Sequence, residues 1–324
     1  MGFRGSSPRA EEVHEVRFSF TDDQRLFAEG LRDLLTAKCT PADVRGAWEK
    51  GEGHDTALWS LLDGMGVLSM LVPDELAGMG SSLVDAVLLF QELGRHAVPG
   101  PVIEHMVAAP VLAAAGVDTT IATVWLDGPY APHAGVADVV LTGASALTDF
   151  EATEVDAIDG GRRLFTISGG ASTPIGMPAT LADQLALAAA GVLVGLADRM
   201  IEMAADYARQ RHQFGQPIGS FQAVKHLLAD ALLQVEFAKA PLHRAAWSLS
   251  NGAPTAARDV SMAKVLANEA AYRTGRASMQ VHGAIGYTWE CDLHLWMKKA
   301  WALQRAYGDT RFHRRRVGDA VLGP

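Results

Sequence analysis

Cysteine is scarce in this sequence of 324 residues. Its two cysteines, Cys39 and Cys291, lie far apart without CxxC spacing, which argues against a disulfide-stabilised secreted domain. The eleven histidines are scattered and show no HExxH spacing, so no metal motif is recognisable. We therefore expect a protein of a reducing compartment, the cytoplasm, and we assign no metal site.

Long apolar runs and net positive charge are missing as well. No apolar run reaches about 18 residues without a break, so no transmembrane helix is predicted. Residues 1–16 lack the apolar segment of a signal peptide, and we expect them to form a disordered extension. The net charge of −9 offers no long-range attraction to nucleic acid or to an anionic membrane. We interpret the basic run RFHRRR at 311–316 as a solvated C-terminal tail.

The composition that is present is that of a globular protein with a large core. Hydrophobic residues make up 49% of the chain and charged residues 20%, which excludes general disorder. In the N-terminal third, Thr21 and Gln24 have the spacing of a capping box, and three further helical stretches follow the first helix. These patterns predict an N-terminal helical domain over residues 17–118.

The character of the sequence changes near residue 119. Short segments rich in β-branched residues, among them TIATVWLDG and VADVVLTGASAL, predict a reduced β domain over residues 119–178. Four long segments with helical periodicity then predict an antiparallel four-helix bundle domain over residues 179–324. Pro241 lies inside the second segment and is expected to kink or split that helix. The predicted fold class is mainly α with a small β domain.

Two corners between the C-terminal helices carry residues suited to ligand binding. The first is YARQRHQFGQPIGSFQAVKH at 207–226. There, Arg211 offers a fork of donors that suits phosphate, Phe214 is an aromatic surface nearby, and Gln222 carries an amide. The structural alternative is an arginine that complements a helix C-terminus and a phenylalanine that belongs to the core.

The second corner is MQVHGAIGYTWE at 279–290, where a helix ends at a glycine-containing turn. Gly283 and Gly286 permit a close approach of the backbone to another group, and Gln280 stands just before them. The structural alternative here is an ordinary helix C-cap.

The domain order and three segments together resemble the acyl-CoA dehydrogenase family. LVPDELAGMGSSLVDAVLLFQELGR is similar to the family's N-terminal signature, RQRHQFG to its Arg-x-x-Phe-Gly segment, and QVHGAIGYTWE to its Gly-rich segment. The resemblance implies an enzyme that binds FAD and oxidises an acyl-CoA thioester to the α,β-enoyl-CoA. In the family, a carboxylate removes the α-proton and the flavin accepts hydride from the β-carbon.

The resemblance also implies a role for both corners. In the family, these segments reach across a subunit interface and grip the ADP part of an FAD that is held mainly by the neighbouring chain. The corresponding positions in this sequence are Arg211, Phe214, Gln222, Gln280 and Gly283.

The sequence departs from the family where a chain would act within its own subunit. Tyr307 stands where the catalytic Glu is usually found, and Leu185 stands at the position that carries the base in other members. Tyrosine is a poor base at neutral pH because its pKa is about 10. The β region is short and lacks the loop that contacts the flavin ring, and Ala284 replaces the second glycine of a Gly-Gly pair.

With these departures, the sequence resembles the shortened, non-catalytic subunit of actinobacterial α2β2 acyl-CoA dehydrogenases that act on steroid side chains. That resemblance implies a catalytic partner chain, an acyl-CoA substrate and an electron-transfer flavoprotein as acceptor. One alternative is a self-sufficient homo-oligomer with a displaced base, for which Asp309 is the best candidate and Glu290 and Asp183 are others. A second alternative is a scaffold subunit without a redox role.

Overall fold

The computed structural model describes residues 19–50, 53–126 and 128–323, and the extension predicted at 1–16 lies outside them. Five helices come first: α1 (Asp22–Lys38), α2 (Pro41–Glu49), α3 (Thr56–Gly64), α4 (Leu83–Arg95) and α5 (Val102–Ala114). The predicted capping box begins α1, because Thr21 Oγ1 accepts the N–H of Gln24 while Gln24 Oε1 accepts the N–H of Thr21. Sequence reasoning missed α2, which begins with a second box formed by Thr40 and Asp43.

A five-stranded sheet follows, with strand order β1-β3-β4-β5-β2. The strands are β1 (Ala122–Val124), β2 (Ala131–Pro132), β3 (Val139–Leu141), β4 (Ser145–Val155) and β5 (Leu164–Pro174). The short strands β1 and β3 pair in parallel and are buried, whereas β4 and β5 form a long antiparallel hairpin that is largely exposed. The sheet is therefore small, and only one part of it packs against the helices.

The remaining long helices are α6 (Leu181–Gln210), α7 (Gln222–Ser250), α8 (Ala256–His282), α9 (Leu293–Arg305) and α10 (Thr310–Leu322). Close approach between α4 and α6 depends on glycine. A Cβ atom on Gly195 would lie 1.9 Å from the carbonyl oxygen of Gln91, and one on Gly94 would lie 2.0 Å from that of Val192. The predicted fold class, mainly α with a small β domain, is confirmed.

The basic run at 311–316 is part of helix α10, so its interpretation as a solvated tail is wrong. Asp309 caps this helix by accepting the N–H of Phe312 at 2.8 Å. His313 is fully buried with its Nδ1 3.1 Å from Ser261 Oγ, and Arg316 makes two hydrogen bonds to Asp183. These anchors add a fifth helix to the predicted four.

Two further helices differ from simple sequence expectations. Pro241 does not split α7, which continues from Gln222 to Ser250, because buried residues on both sides of the proline pack into the core. Helix α6 is long and apolar enough to cross a membrane, but 83% of its most apolar window is buried inside the protein. It is the central helix of the bundle.

Candidate functional site

The chain turns between α6 and α7 through a hairpin of β6 (His212–Gln213) and β7 (Gln216–Pro217). Phe214 and Gly215 at its tip both have positive φ, 53° and 82°. Glycine and asparagine favour such positions, whereas a bulky side chain there is strained. The Phe214 side chain is nonetheless 92% exposed. A strained aromatic residue presented to solvent indicates a binding role rather than packing.

Arg211 ends helix α6 beside this hairpin. Its backbone is fixed, because its N–H donates to the carbonyl of Tyr207 and its carbonyl accepts the N–H of Ile218, each at 2.8 Å. Its guanidinium is exposed and has no hydrogen-bond or ion-pair partner among the described residues. An ordered backbone with an uncommitted cation is well suited to an anionic ligand.

The second corner closes α8. Gly283 has φ 65° and ψ −141°, a conformation that requires glycine, and it begins a 3-10 turn that ends at Tyr287. Gln280 is exposed and lines a groove of about 420 Å³ between α7 and α8. The amide and the open glycine backbone therefore both face outward.

The fold brings the two corners to the same end of the bundle. Val281 packs against Ala204 and Ala208 near the end of α6, and the ring of Tyr207 stacks on that of His282 with centroids 4.5 Å apart. The five predicted flavin-binding positions are exposed at this end: Arg211, Phe214, Gln222, Gln280 and Gly283. They provide a cation, an aromatic ring, two amides and a bare backbone, a set that fits a nucleotide diphosphate.

The residue at the position expected for a base, Tyr307, is held in a polar network. The Tyr307 hydroxyl donates to Oε1 of Glu104, and Arg162 Nη2 donates to the same hydroxyl at 3.2 Å. Arg162 Nη2 also lies 3.6 Å from the Glu104 carboxylate, which belongs to a residue that is 1% exposed. Burial, and then the Glu104 charge, raise the pKa of Tyr307 well above its ordinary value, so Tyr307 stays a protonated phenol and is not available as a base at neutral pH.

Two more buried side chains complete this network. His133 Nε2 lies 4.0 Å from Glu104, and burial together with Arg162 holds the pKa of His133 well below its usual range. Lys299 pairs with Asp159 at 3.8 Å. The space left among these groups is about 20 Å³, which is room for a water molecule but not for an acyl chain.

The other proposed base positions are occupied in different ways. Leu185 is 0% exposed and belongs to the core. Asp183 is bonded to Arg316, and Asp309 is the exposed N-cap of α10. Glu290 is exposed in the loop before α9.

Sequence reasoning missed Glu104 and Arg162. The signal for Glu104 was a lone carboxylate in the apolar run VIEHMVAAPVL, because a buried charge in such a helix needs a partner. The partner itself could not be identified, since Arg162 and Tyr307 reach Glu104 only through the tertiary fold.

Comparison with known proteins places this geometry in a family. Residues 21–123 match the acyl-CoA dehydrogenase N-terminal domain, and residues 179–322 match the acyl-CoA dehydrogenase C-terminal domain. The chain is 34% identical to acyl-CoA dehydrogenase IpdE2 of Mycobacterium tuberculosis over 86% of its own length and 91% of that protein's. It is 32% identical to the IpdE2 of Mycolicibacterium smegmatis over 93% of its length and 100% of that protein's.

Solved structures give the same result. One chain of the ChsE4-ChsE5 complex from Mycobacterium tuberculosis superposes with a TM-score of 0.85 at 25% identity, covering 95% of this chain and 100% of that one. A chain of the Tcur3481-Tcur3483 steroid ACAD (acyl-CoA dehydrogenase) superposes with a TM-score of 0.83 at 23% identity, covering 93% of this chain and 98% of that one.

Proposed function

Because this chain belongs to the acyl-CoA dehydrogenase family, a family of oxidoreductases, we propose that it is the non-catalytic subunit of a heteromeric, FAD-dependent acyl-CoA dehydrogenase. In this proposal, a catalytic partner chain holds most of the FAD and supplies the base. This chain completes the FAD site from the other side of the subunit interface. The assembled enzyme, an α2β2 heterotetramer in the cytoplasm, forms an α,β-enoyl-CoA.

The observation that carries the proposal is the network around Tyr307. At the position where the family places its base, this chain has a phenol that is bonded to Glu104 and Arg162. Tyr307 also lines a cavity of about 610 Å³, but it is a hydrogen-bonded phenol and not a carboxylate that could remove a proton. A chain that has lost the base of its own reaction site but retains an exposed trans site fits a supporting subunit.

The residues at the end of the bundle have distinct roles in this proposal. The Arg211 guanidinium neutralises the pyrophosphate, and the Phe214 ring covers an apolar face of the nucleotide. Gln222 and Gln280 donate or accept hydrogen bonds at the polar edges of the nucleotide rings, and Gly283 lets the backbone come close to the nucleotide. When bound, the flavin supplies the hydride acceptor, and this chain holds it in place.

The relatives support the partner and the substrate class of this proposal. One structural relative is a complex of two named chains, and another is described as a steroid ACAD. We propose a second acyl-CoA dehydrogenase chain as partner, and an acyl-CoA thioester with a steroid-derived acyl group as substrate. An electron-transfer flavoprotein then reoxidises the enzyme.

Replacement of Arg211 tests the half-site. The chain is co-expressed with the acyl-CoA dehydrogenase encoded beside it, and the FAD content of the purified complex is measured for wild type, Arg211→Ala and Arg209→Ala. Arg209 is the matched control, because it is exposed two residues away and pairs with Asp206. We expect Arg211→Ala to weaken FAD retention at least tenfold, roughly the value of a charge-assisted contact. Equal FAD content in all three complexes would favour the scaffold role instead.

The self-sufficient alternative depends on Asp309. Its carboxylate already caps α10, so it would have to leave the Phe312 N–H to act as a base. Asp309→Asn retains a capping side chain. Under the proposed function, this variant leaves the turnover of the complex unchanged, whereas a large loss of turnover with FAD still bound would identify Asp309 as the base.

A further inference from the structure

A cavity of about 610 Å³ lies between the small sheet and the C-terminal end of α9. Its walls are mostly apolar and include the rings of Trp125, Tyr130 and Trp301. Tyr130, Trp301 and Ile158 stay 40%, 39% and 52% exposed although they are large and apolar. Exposed apolar side chains that converge on one concavity indicate a ligand site, whereas scattered ones need no explanation. This space is called the ring-lined cavity below.

One end of the ring-lined cavity is polar. Arg162 lines it, its side chain is 10% exposed, and its buried Nε–H has no hydrogen-bond partner among the described residues. A buried donor without a partner is costly, so an acceptor on a ligand would be bound favourably there. Arg305 lines the cavity and is exposed, which adds a second cation. Asp159 also lines it, but its charge is paired with Lys299 at 3.8 Å.

The shape beyond Arg162 limits what can enter. The adjoining space among Glu104, His133 and Lys299 is about 20 Å³, so a linear acyl chain cannot extend inward. A compact ring system can stay between the aromatic walls, where ring contacts add to the burial of apolar surface. The volume lies within the range of sites for small organic ligands.

We infer that the ring-lined cavity binds a ring-containing apolar carboxylate, with the rings between Trp125 and Trp301 and the carboxylate toward Arg162 and Arg305. The inference rests on the proposed function in one respect: the cavity is free for this ligand because the FAD is held mainly at the partner's site. The ligand is not turned over by this chain, because Tyr307, which also lines the cavity, is a phenol bonded to Glu104, and the carboxylate of Asp159 is paired with Lys299. It is a bound acid product, precursor or effector of the same complex.

Titration with 1-pyrenebutyrate, a planar ring carboxylate, tests the inference, and 1-pyrenebutanol is its neutral match. Binding is followed on the full chain by the quenching of tryptophan fluorescence, and on the co-purified complex by calorimetry. We expect one site per chain and tighter binding of the carboxylate than of the alcohol. Ile158→Asp should weaken 1-pyrenebutyrate at least tenfold, because it places a carboxylate among the apolar walls. Arg305→Gln should remove most of the preference for the carboxylate.

Leu26→Asp is the matched control, because Leu26 is an exposed leucine on α1, outside the cavity. Unchanged binding in this variant with loss in Ile158→Asp supports the site. Binding that survives Ile158→Asp, no saturable binding, or equal affinity for the alcohol overturns it. The proposed function is tested by a separate measurement, and FAD bound to the chain purified alone would contradict it. The two failures are therefore distinguishable.

Discussion

The hydroxyl group of Tyr307 donates a hydrogen bond to the carboxylate of Glu104, a residue 203 positions earlier in the chain. Arg162 contacts both groups, and the three side chains form a closed network between α5, the sheet and the end of α9. The position at which the sequence resemblance places the base of many acyl-CoA dehydrogenases is therefore occupied here by a structural contact. This relationship leads to the first prediction.

Replacement of Tyr307 by Phe should change stability and leave catalysis intact. The variant removes the donor to Glu104, and a lost buried hydrogen bond costs about 1–2 kcal/mol in the free energy of unfolding. The turnover number of the assembled complex should stay within twofold of wild type, because the proposed function places the reacting base on the partner. Urea unfolding of the chain and steady-state turnover of the complex measure the two effects.

The companion variant Tyr307→Glu places a carboxylate where the sequence resemblance puts the family's base. It should not confer dehydrogenase activity on the lone chain, and it should be less stable than Tyr307→Phe, because the new charge lies beside Glu104 in a buried site. Flavin reduction by an acyl-CoA in the lone Tyr307→Glu chain would show that the reaction site is intact after all.

Phe214→Gly should separate stability from FAD binding. Glycine accepts the positive φ at this position without strain. The free energy of unfolding of the free chain should therefore stay the same or rise by up to about 1 kcal/mol. The same change removes the exposed ring, so the FAD dissociation constant of the complex should rise at least fivefold. Thermal unfolding of the chain and FAD titration of the complex measure the pair. A variant that loses stability and keeps its FAD affinity would assign Phe214 to the fold alone.

Gly195→Ala should disrupt the contact between α4 and α6. Its Cβ atom would lie 1.9 Å from the carbonyl oxygen of Gln91, so the helices must separate, at a cost of about 3 kcal/mol or more. Gly46→Ala on α2 is the matched control, because nothing lies within 4 Å of its Cβ position. That control should be neutral or stabilising by about 0.5–1 kcal/mol, since alanine favours a helix. Equal stability of the two variants in urea would contradict the close helix contact.

Stability should fall as the pH falls below 6.5. Burial lowers the pKa of His313 from 6.5 to about 4, so the unfolded chain takes up a proton in this range more readily than the folded one. Between pH 7 and pH 5, the lowered pKa of His313 should reduce the free energy of unfolding by about 2 kcal/mol. His105 and His243 have pKa values lowered in the same direction to about 4. Urea unfolding of His313→Gln should show a smaller loss of unfolding free energy between pH 7 and pH 5 than wild type. The same dependence of unfolding free energy on pH in both proteins would exclude His313 as a contributor.

Local signals made much of the fold predictable. The capping box at Thr21, the helical periodicity of the long C-terminal segments and the β-branched segments after residue 119 each depend on neighbours in sequence. Helix α10 was missed because its stability comes from distant partners. Ser261 contacts His313, and Asp183 pairs with Arg316, so a basic run that is typical of a solvated tail is held against α6 and α8.

The exposed end of the bundle and the network around Tyr307 also differ in how far the sequence could predict them. The residues at the end of the bundle lie in short motifs, so Arg211, Phe214, Gln280 and their neighbours could be proposed from sequence, although their roles remain proposals. The closed position could only be seen in the fold. An unusual residue at 307 was visible in the sequence, but the reason it is retained lies in Glu104 and Arg162, which come from a helix and a strand boundary far away.

The FAD content per chain tests the central claim most directly. The chain is purified alone and also co-purified with the acyl-CoA dehydrogenase encoded beside it, each sample is denatured, and released FAD is measured by absorbance against protein concentration. The account predicts a colourless lone chain and a yellow complex with about one FAD for each pair of unlike chains, the stoichiometry of a flavin shared between two subunits. One FAD per chain in the lone protein would contradict the account.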